Sequence, residues 1–535
     1  SLKPFRTVPP RMLGPMDEIP DLAPAVRIGK WSRLKQHGTM SSLRHQTAAW
    51  PPGVPVYVSR DEYDDLDTDL AGMRAVLARM PVASPFEGFQ PLALAPLAPI
   101  VLANVLRSRG ADVLVRDLAV QSRSSFSRTE MELLGDGAGW HAHLSGTGDA
   151  ARVAILDKMI RLLDAGNVDL AGFSVECDVD KPLAIALGKE LAARTGAKVV
   201  VGGRILGDAG AYAALWTGCF FVMHEGEVPL LMLADALMHG KPLEGIPSLY
   251  WTKDGEFRNE ARMAMHDLDI LPVLDLTGVP LEGYDQGIVE EGEGPVLPYL
   301  FDKGCPHVCG YCGDSTRRIV RLRSPDLVVA ALESAAERFG VRRFYFLDHL
   351  LNSDRRHFAE LLDRLERRNL DIVWVDSCKA VGMDQGTLRR LRKVGASMLS
   401  WGIDVGSRRM ARLMRKGIDL DEAADILRRS HEAGIRNHVN LIIGMPHETD
   451  EDIEETVRYV DRSRRWVDRF RGAKYRYYKN SLLSAHPDLY GLVTSPGGDG
   501  VDVPGGVRWE EHCRVADAHL AVVREAAWGR AGVSM

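Results

Sequence analysis

Short apolar runs alternate with helical stretches twice along this chain, and that double alternation restricts the fold more than any other feature of the sequence. A strand that is apolar at nearly every position has to be covered on both faces. Helices between successive strands supply the cover and make the strands parallel. The first series reads as strands at 74–80 (RAVLARM), 111–118 (ADVLVRDL), 168–175 (VDLAGFSV), 197–201 (AKVVV) and 220–223, with helices over 181–195 and 228–239. The second begins at Val296, with strands near 296–301, 342–347, 372–376, 397–403 and 437–443, each followed by a helical pattern. The expected fold class is α/β: a Rossmann-like doubly wound domain followed by a partial or full (β/α) barrel. In both architectures ligands sit at the carboxyl ends of the strands.

The 535 residues are too many for one core. A Pro-rich, aperiodic extension covers 1–70, the first domain 71–250, a hairpin and linker 251–295, the barrel 296–470, and a small C-terminal region 471–535. In that last region Tyr475, Tyr477, Tyr478, Lys479 and Asn480 are either substrate contacts or a strand packed on the barrel. No apolar run reaches the ~18 residues of a spanning helix. The opening Ser-Leu-Lys-Pro has no signal-peptide pattern, so a soluble, cytoplasmic protein without a membrane partner is expected. A net charge of −6 carries no polyanion footprint and argues against nucleic acid.

Seven cysteines make no disulfide framework at this length, but three of them crowd into Gly304-Cys305-Pro306-His307-Val308-Cys309-Gly310-Tyr311-Cys312, directly after an apolar strand. Thiolates are the usual ligands of iron–sulfur clusters. Three on one loop leave one iron of a [4Fe–4S] cubane open to a substrate group. A zinc site with His307 as fourth ligand is the alternative, although the second cysteine pair usual for such sites is missing.

At these residues the chain resembles the radical S-adenosylmethionine (SAM) superfamily, which carries Cys-x3-Cys-x2-Cys with an aromatic before the last cysteine. In that family the amino and carboxylate groups of SAM chelate the open iron. Phe344–Asn352 (FYFLDHLLN) is similar to the family's second strand, ending in the acidic residue near the SAM amine, here Asp348. Trp401–Ser407 (WGIDVGS) resembles its GxESGS segment, with Asp404 in place of Glu, and Leu441–Asp450 (LIIGMPHETD) its GLPGET segment, with His447 in place of Gly. The resemblance thus implies Cys305, Cys309 and Cys312 as cluster ligands, and Tyr311, Asp348, Asp404, Ser407 and Asn440 on the SAM side. From the residues alone, Asp348 reads equally as a helix cap and Glu448 as part of an acidic first helical turn.

The first series looks like the N-terminal B12-binding domain of class B radical SAM enzymes, through Pro91–Gly110, AGFSV, VVVGGR and HEGEVPLL. The resemblance implies cobalamin over Ser174, Gly202, Gly203, Glu225, Gly226 and Glu227, where glycine permits close backbone approach to a flat ring. An ordinary doubly wound domain binding a nucleotide is the alternative. No GxGxxG follows the first strand, which argues against a dinucleotide. The Asp-x-His-x-x-Gly motif that supplies a cobalt-ligating histidine is missing, so base-off cobalamin is implied, its lower face covered by the loop 84–91, by Arg79 or by Arg116. The implied activity is methylation of an unactivated carbon of a biosynthetic intermediate or peptide. It would use a 5′-deoxyadenosyl radical, methylcobalamin and an external flavodoxin- or ferredoxin-like electron donor, with both sets of strand ends opening on one cavity. A cobalamin-dependent cyclase, ring-contraction or rearrangement enzyme is the second reading, and a non-catalytic B12-binding regulator the third.

Overall fold

The computed structural model describes residues 38–39, 56–81, 94–203, 206, 209–259, 264–279, 281, 284, 289–314, 319–496, 498, 500–503 and 508–528. Most of the N-terminal extension and the loop 84–91 lie outside them. The chain forms two compact units, one of residues 31–298 and 326–343 and another containing residues 299–325 and 344–535.

The first unit is built on a seven-stranded sheet. In chain order its strands are β1 (Arg74–Arg79), β2 (Asp112–Asp117), β3 (Leu170–Ser174), β4 (Lys198–Gly203), β5 (Cys219–Met223), β6 (Leu249–Lys253) and β7 (Glu256–Asn259). Their spatial order is β2-β1-β3-β4-β5-β6-β7. The first five pair in parallel, and the hairpin β6–β7 extends the sheet antiparallel to β5. The hairpin expected at the head of 251–295 is therefore an edge of this sheet. Helix α1 (Leu97–Arg107) packs with α4 (Glu227–His239), and α2 (Ala150–Leu163) with α3 (Asp180–Thr195). Val76, Ala78, Ala171, Phe173, Val199, Val201 and Phe221 share one buried cluster with α2 and α3. Residues one position out of step, such as Leu77 and Val200, point to the other face, as a period of two requires.

Strand order reverses direction between β1 and β3, the place where a doubly wound sheet opens a crevice. A buried polar network sits at that end. Arg79 donates to Asp117 through Nε (3.0 Å) and also through its terminal nitrogen, while Tyr284 donates its hydroxyl to Asp117 at 2.7 Å. Arg79 is therefore engaged by a carboxylate. Arg116 points to Asp164 instead, at 3.4 Å.

The second sheet contains β8 (Val296–Tyr299), β9 (Arg343–Phe346), β10 (Val373–Cys378), β11 (Ala396–Asp404), β12 (Arg436–Ile443) and β13 (Arg469–Lys474), side by side in sequence order. Helices α5 (Pro325–Phe339), α6 (Arg355–Arg368), α7 (Gln385–Lys393), α8 (Leu420–Glu432) and α9 (Asp450–Ser463) alternate with them, and α10 (Trp509–Trp528) closes the described chain. The result is an open (β/α) barrel. Phe346 stacks on Trp374 at 5.1 Å between ring centroids, and Leu361, Leu362, Leu365 and Leu391 line the same apolar space. Ser400, His438 and Asn440, alternating with buried Leu399, Trp401, Val439 and Leu441, form a half-buried polar row. The sixth strand occupies what the sequence assigns to the barrel's last residues and the start of the tail. Its stretch Arg469-Phe470-Arg471-Gly472-Ala473-Lys474 buries only Phe470 and carries no readable strand signal.

Asp117→Ala would strand the Arg79 guanidinium without its carboxylate in a site where both side chains are almost fully buried. The expected cost is about 3–5 kcal/mol, read as a lower denaturation midpoint of the N-terminal unit in urea.

Candidate functional site

The three thiols of the second unit are brought together by backbone, not by side chains. Gly304 has φ of +98°, and a Cβ there would collide with the carbonyl oxygen of Ile319, so the loop entry requires glycine. Gly310 donates to the Met414 carbonyl (2.8 Å) and accepts from Leu483 N (2.9 Å); a Cβ at Gly310 would press on the Tyr490 hydroxyl. Asn480 donates to the Gly313 carbonyl at 2.6 Å. The segment 475–490 thus braces the cysteine loop. Tyr475 is buried against Trp509, and of the candidate substrate tyrosines Tyr478 is the exposed one.

Cys309 is buried, and Cys305 and Cys312 are half-buried. Burial pushes the Cys305 thiol up to about 12 and raises Cys312, and the neighbouring sulfurs reinforce both shifts. Cys309 contributes to the rise of both Cys305 and Cys312, so the three sulfurs lie near enough to act on one another. A cation placed among them would displace their protons and reverse that repulsion. His307 is not positioned as an obvious fourth ligand, since its Nδ1 lies 3.1 Å from Lys379 Nζ. Burial, then Lys379 and Lys416, depress His307 to about 4, so the imidazole is neutral and accepts from the ammonium.

Asp348 follows β9 and is fully buried. Its Oδ1 accepts from the backbone of Phe301 (2.8 Å) and Asp302 (2.7 Å), while Oδ2 has no hydrogen-bond partner among the described residues. Burial, with Asp302 and Asp376 close by, holds its pKa well above the usual carboxylate range. The cap of α6 is Asp354, so Asp348 is no helix cap. His349 lies 3.5 Å from Asp302 and 3.3 Å from Asp314. Burial opposes its charge, but the two carboxylates prevail and raise it to about 9.

Asp404 has a left-handed φ of +62°, accepts from Tyr311 at 2.5 Å and pairs with Lys416. Tyr311, Asp404 and Lys416 therefore form one connected group beside the cysteines. Asn440 donates to Ser400 at 3.0 Å on the polar row. Ser407 departs from the expected ligand role: it caps the helix starting at Arg408, donates to Asp452 at 2.6 Å and is fully buried. Its hydroxyl is used within the protein. Glu448 lies before α9, whose acidic first turn is Asp450, Glu451 and Asp452. It accepts from Gly444 N, and burial raises it to about 8. His447 occupies φ of +67°, which explains why glycine suits that position in the related motif; here its Nε2 bonds the Tyr490 carbonyl at 2.7 Å.

In the first unit Ser174 ends β3 beside the crevice, and Gly202 and Gly203 end β4. A Cβ at Gly203 would collide with the Val175 carbonyl, whereas one at Gly202 meets nothing nearer than the Val222 oxygen at 3.7 Å. Gly203 is thus required by the sheet itself, and Gly202 presents open backbone. After β5, Glu225 and Glu227 turn toward the fully buried His266, at 3.1 and 3.7 Å from its two ring nitrogens. These three residues have metal-ligating atoms within 4.8 Å of one another. Gly226, between the glutamates, packs against Leu102.

Lys379, Lys416, His266 and the Asp302/Asp376 carboxylates escaped the sequence reading. Lys379 stands one residue beyond β10, at a strand end as Asp348 and Asp404 are, so the strand-end rule could have found it. His266 belongs to a strand of three residues with no motif around it.

The sequence profile of the Radical SAM superfamily matches residues 299–460. An uncharacterized methyltransferase of Pyrococcus horikoshii is 26% identical over 242 residues, 45% of this chain and 52% of that protein. An anaerobic magnesium-protoporphyrin IX monomethyl ester cyclase of Rubrivivax gelatinosus is 26% identical over 255 residues, 44% of this chain and 43% of the cyclase. The chain spans about half the length of these curated relatives. Among solved structures, the radical S-adenosylmethionine methyltransferase TsrM from Kitasatospora setae, with cobalamin and a [4Fe–4S] cluster bound, aligns with a TM-score of 0.56 at 19% identity, covering 79% of this chain and 76% of that one. That likeness is one of fold. No described helix is long and apolar enough to cross a membrane.

Two outcomes follow from this geometry. Glu448 has a folded pKa raised above its unfolded value, so its stabilising contribution is complete below about 4.5 and is lost as pH climbs through about 8. Glu448→Gln should flatten the fall in melting temperature between pH 5 and pH 8, each range end being a rough bracket on those two pKa values. Gly203→Ala should lower the melting temperature by several degrees, and Gly202→Ala should leave it nearly unchanged.

Proposed function

The chain carries a radical SAM domain over residues 299–460, and from that premise we propose that it is a cobalamin-dependent radical SAM enzyme that methylates an unactivated carbon of a small-molecule or peptide substrate. The observation that carries the reading is the three-thiol loop, braced by Met414 and Leu483 and flanked by the group Tyr311–Asp404–Lys416. When bound, a three-cysteine [4Fe–4S] cluster and SAM would supply a carbon-centred radical, and cobalamin a methyl group.

The residues fit these groups. Cys305, Cys309 and Cys312 offer three sulfurs and no fourth, which leaves one iron for SAM. Asp348 Oδ2, buried and without a hydrogen-bond partner among the described residues, suits an ammonium donor such as the SAM amine. Asn440, which pairs with Gly402 two residues before Asp404, and Asp404 itself would meet the rest of SAM. In the first unit Ser174, Gly202 and Gly203 would offer a flat backbone ledge to the corrin. Glu225, Gly226 and Glu227 would border it, held in place by His266. Among the described residues Arg79 is tied to Asp117, so a cobalt ligand from Arg79 would require breaking a buried pair, and base-off cobalamin without that ligand is the simpler arrangement. The protein's own work is to position and to exclude water. An external low-potential donor would deliver the electron.

The similarity to a cyclase supports a second reading, cyclisation without methyl transfer. Product mass separates them. Methylation adds one CH2 unit to the substrate for each SAM-derived methyl consumed, and deuterated methyl-SAM passes its label to the product. Unlabelled product of unchanged or lower mass would overturn the methyltransferase reading.

Anaerobically reconstituted protein should hold about four irons on this loop. Cys309→Ala should abolish reductive SAM cleavage while retaining cobalamin. Full iron content and cleavage in a triple Cys305/Cys309/Cys312→Ala variant would refute the cluster assignment. Gly202→Trp should abolish cobalamin binding while the cluster assembles normally, because the bulk is added where the backbone is open.

A further inference from the structure

Alternation along β13 sends its residues to two different faces. Phe470 is buried, Gly472 lies against Leu520 of α10, and Lys474 pairs with Asp517 of the same helix at 2.8 Å. Arg469, Arg471 and Ala473 therefore face away from α10, onto the inner side of the sheet. Parallel register continues that face across the neighbouring strands: His438 is opposite Arg469, Asn440 opposite Arg471, and Ser400 opposite His438. The other face of β12 is occupied by the fold, since Asn437 bonds Trp401 (2.7 Å) and the carbonyls of Leu427 (2.8 Å) and Trp466 (2.7 Å). The polar row of the inner face thus ends in two arginines, Arg471 exposed and Arg469 half-buried.

A barrel interior is ordinarily packed with branched apolar side chains. This one is cationic along β12 and β13. Burial, then Arg469, Arg471 and Arg436, depress His438 to about 4, so its imidazole is neutral and offers hydrogen bonds without charge. Tyr345 of β9 stands four strands from β13. Burial raises its hydroxyl and Arg471 opposes that rise, so the sheet curls far enough for the inner faces of β9 and β13 to act on each other. Asp376 also acts on Tyr345, but burial holds that carboxyl well above the usual carboxylate range, and it supplies little negative charge to the row.

Arg469 and Arg471 lie about 7 Å apart along the strand, close enough for one oxyanion to accept from both guanidinium forks. Arg471 is also three residues, about 10 Å, short of the end of β13. The cysteine loop and Asp404 belong to the strand ends, so the arginine row is set back from the place where SAM would chelate iron.

We propose that Arg469 and Arg471 receive the anionic end of the substrate, a carboxylate or a phosphate monoester, and that the substrate is accordingly an organic acid or an organic phosphate. Calling that ligand the substrate rests on the radical SAM reading above. The anionic end sits inside the barrel, and the reacting carbon points toward the strand ends.

Phenylglyoxal labelling of individual arginines, followed by peptide mass spectrometry on reconstituted full-length protein, tests this without knowledge of the substrate. Labelling is compared in sodium phosphate, in sodium succinate and in sodium chloride of equal ionic strength. Phosphate, succinate or both should slow labelling of Arg469 and Arg471 about threefold or more relative to chloride, and the salt that protects names the oxyanion. Exposed Arg128 should label alike in all three. Equal labelling of Arg469 and Arg471 in every salt, or equal slowing at Arg128, overturns the proposal. Arg471→Gln should remove the protection of Arg469, and protection that survives the substitution also overturns it. SAM in place of the salts should leave both arginines labelled as in chloride; protection by SAM assigns the row to that cofactor and overturns the proposal. Iron is measured separately: wild-type protein that holds none defeats the radical SAM reading, while the labelling still decides the anion site.

Discussion

Three thiols on one loop, one buried and two half-buried, would repel one another as thiolates, and much of the second unit can be read as an answer to that. The loop cannot hold its own shape, because Gly304 and Gly310 supply no side chains. It is fixed by backbone bonds to Met414 and Leu483, residues far away in sequence. Around it the apolar wall of Val405, Met410, Met414, Met445, Tyr475, Leu482 and Tyr490 lowers the local dielectric, which is why Cys305 and Cys312 are pushed upward and why a bound cation would be gripped strongly. The C-terminal segment 475–490, peripheral in the chain, is therefore part of the site's structure.

Charges around that loop are sorted by sign. Lys379 and Lys416 face the cysteines, and Asp302, Asp348 and Asp376 gather at the strand ends next door. Isolated, either set would be unstable in a buried environment. Together they set cationic groups beside the cysteines and anionic groups at the adjoining strand ends. The network Tyr311–Asp404–Lys416 fixes one lysine, and the other bonds neutral His307. This asymmetry is the structural content of the site.

Legibility in the sequence followed periodicity and motif density. β1 through β5 and β8 through β12 were readable because each buries a run of apolar residues against helices, and the structure reproduces them within a few residues. β13 was not, since its sequence is mostly Arg, Gly and Lys and it is a strand only because β12 offers a parallel edge. The cysteines were legible at once through their spacing. Asp348 and Asp404 were legible through their place at strand ends, but their partners were not: Oδ1 of Asp348 serves the backbone of Phe301 and Asp302, and Asp404 serves Tyr311 and Lys416. Ser407 looked like a ligand by motif and is a helix cap. Hydroxyl roles of that kind depend on which carboxylate, here Asp452, folds against them.

The sequence by itself determined the two α/β series, the cysteine loop at a strand end, and the glycines at positions where backbone must come close, because local periodicity and left-handed or close-approach geometry are written residue by residue. Tertiary structure alone decided which charges meet. Lys379 and His307 are separated by 72 residues, Tyr311 and Asp404 by 93, and Asp348 lies 47 residues from the Phe301 amide it accepts. An ion pair or its absence is a property of distance in space and of local dielectric, and neither quantity is encoded in any stretch of chain shorter than the fold.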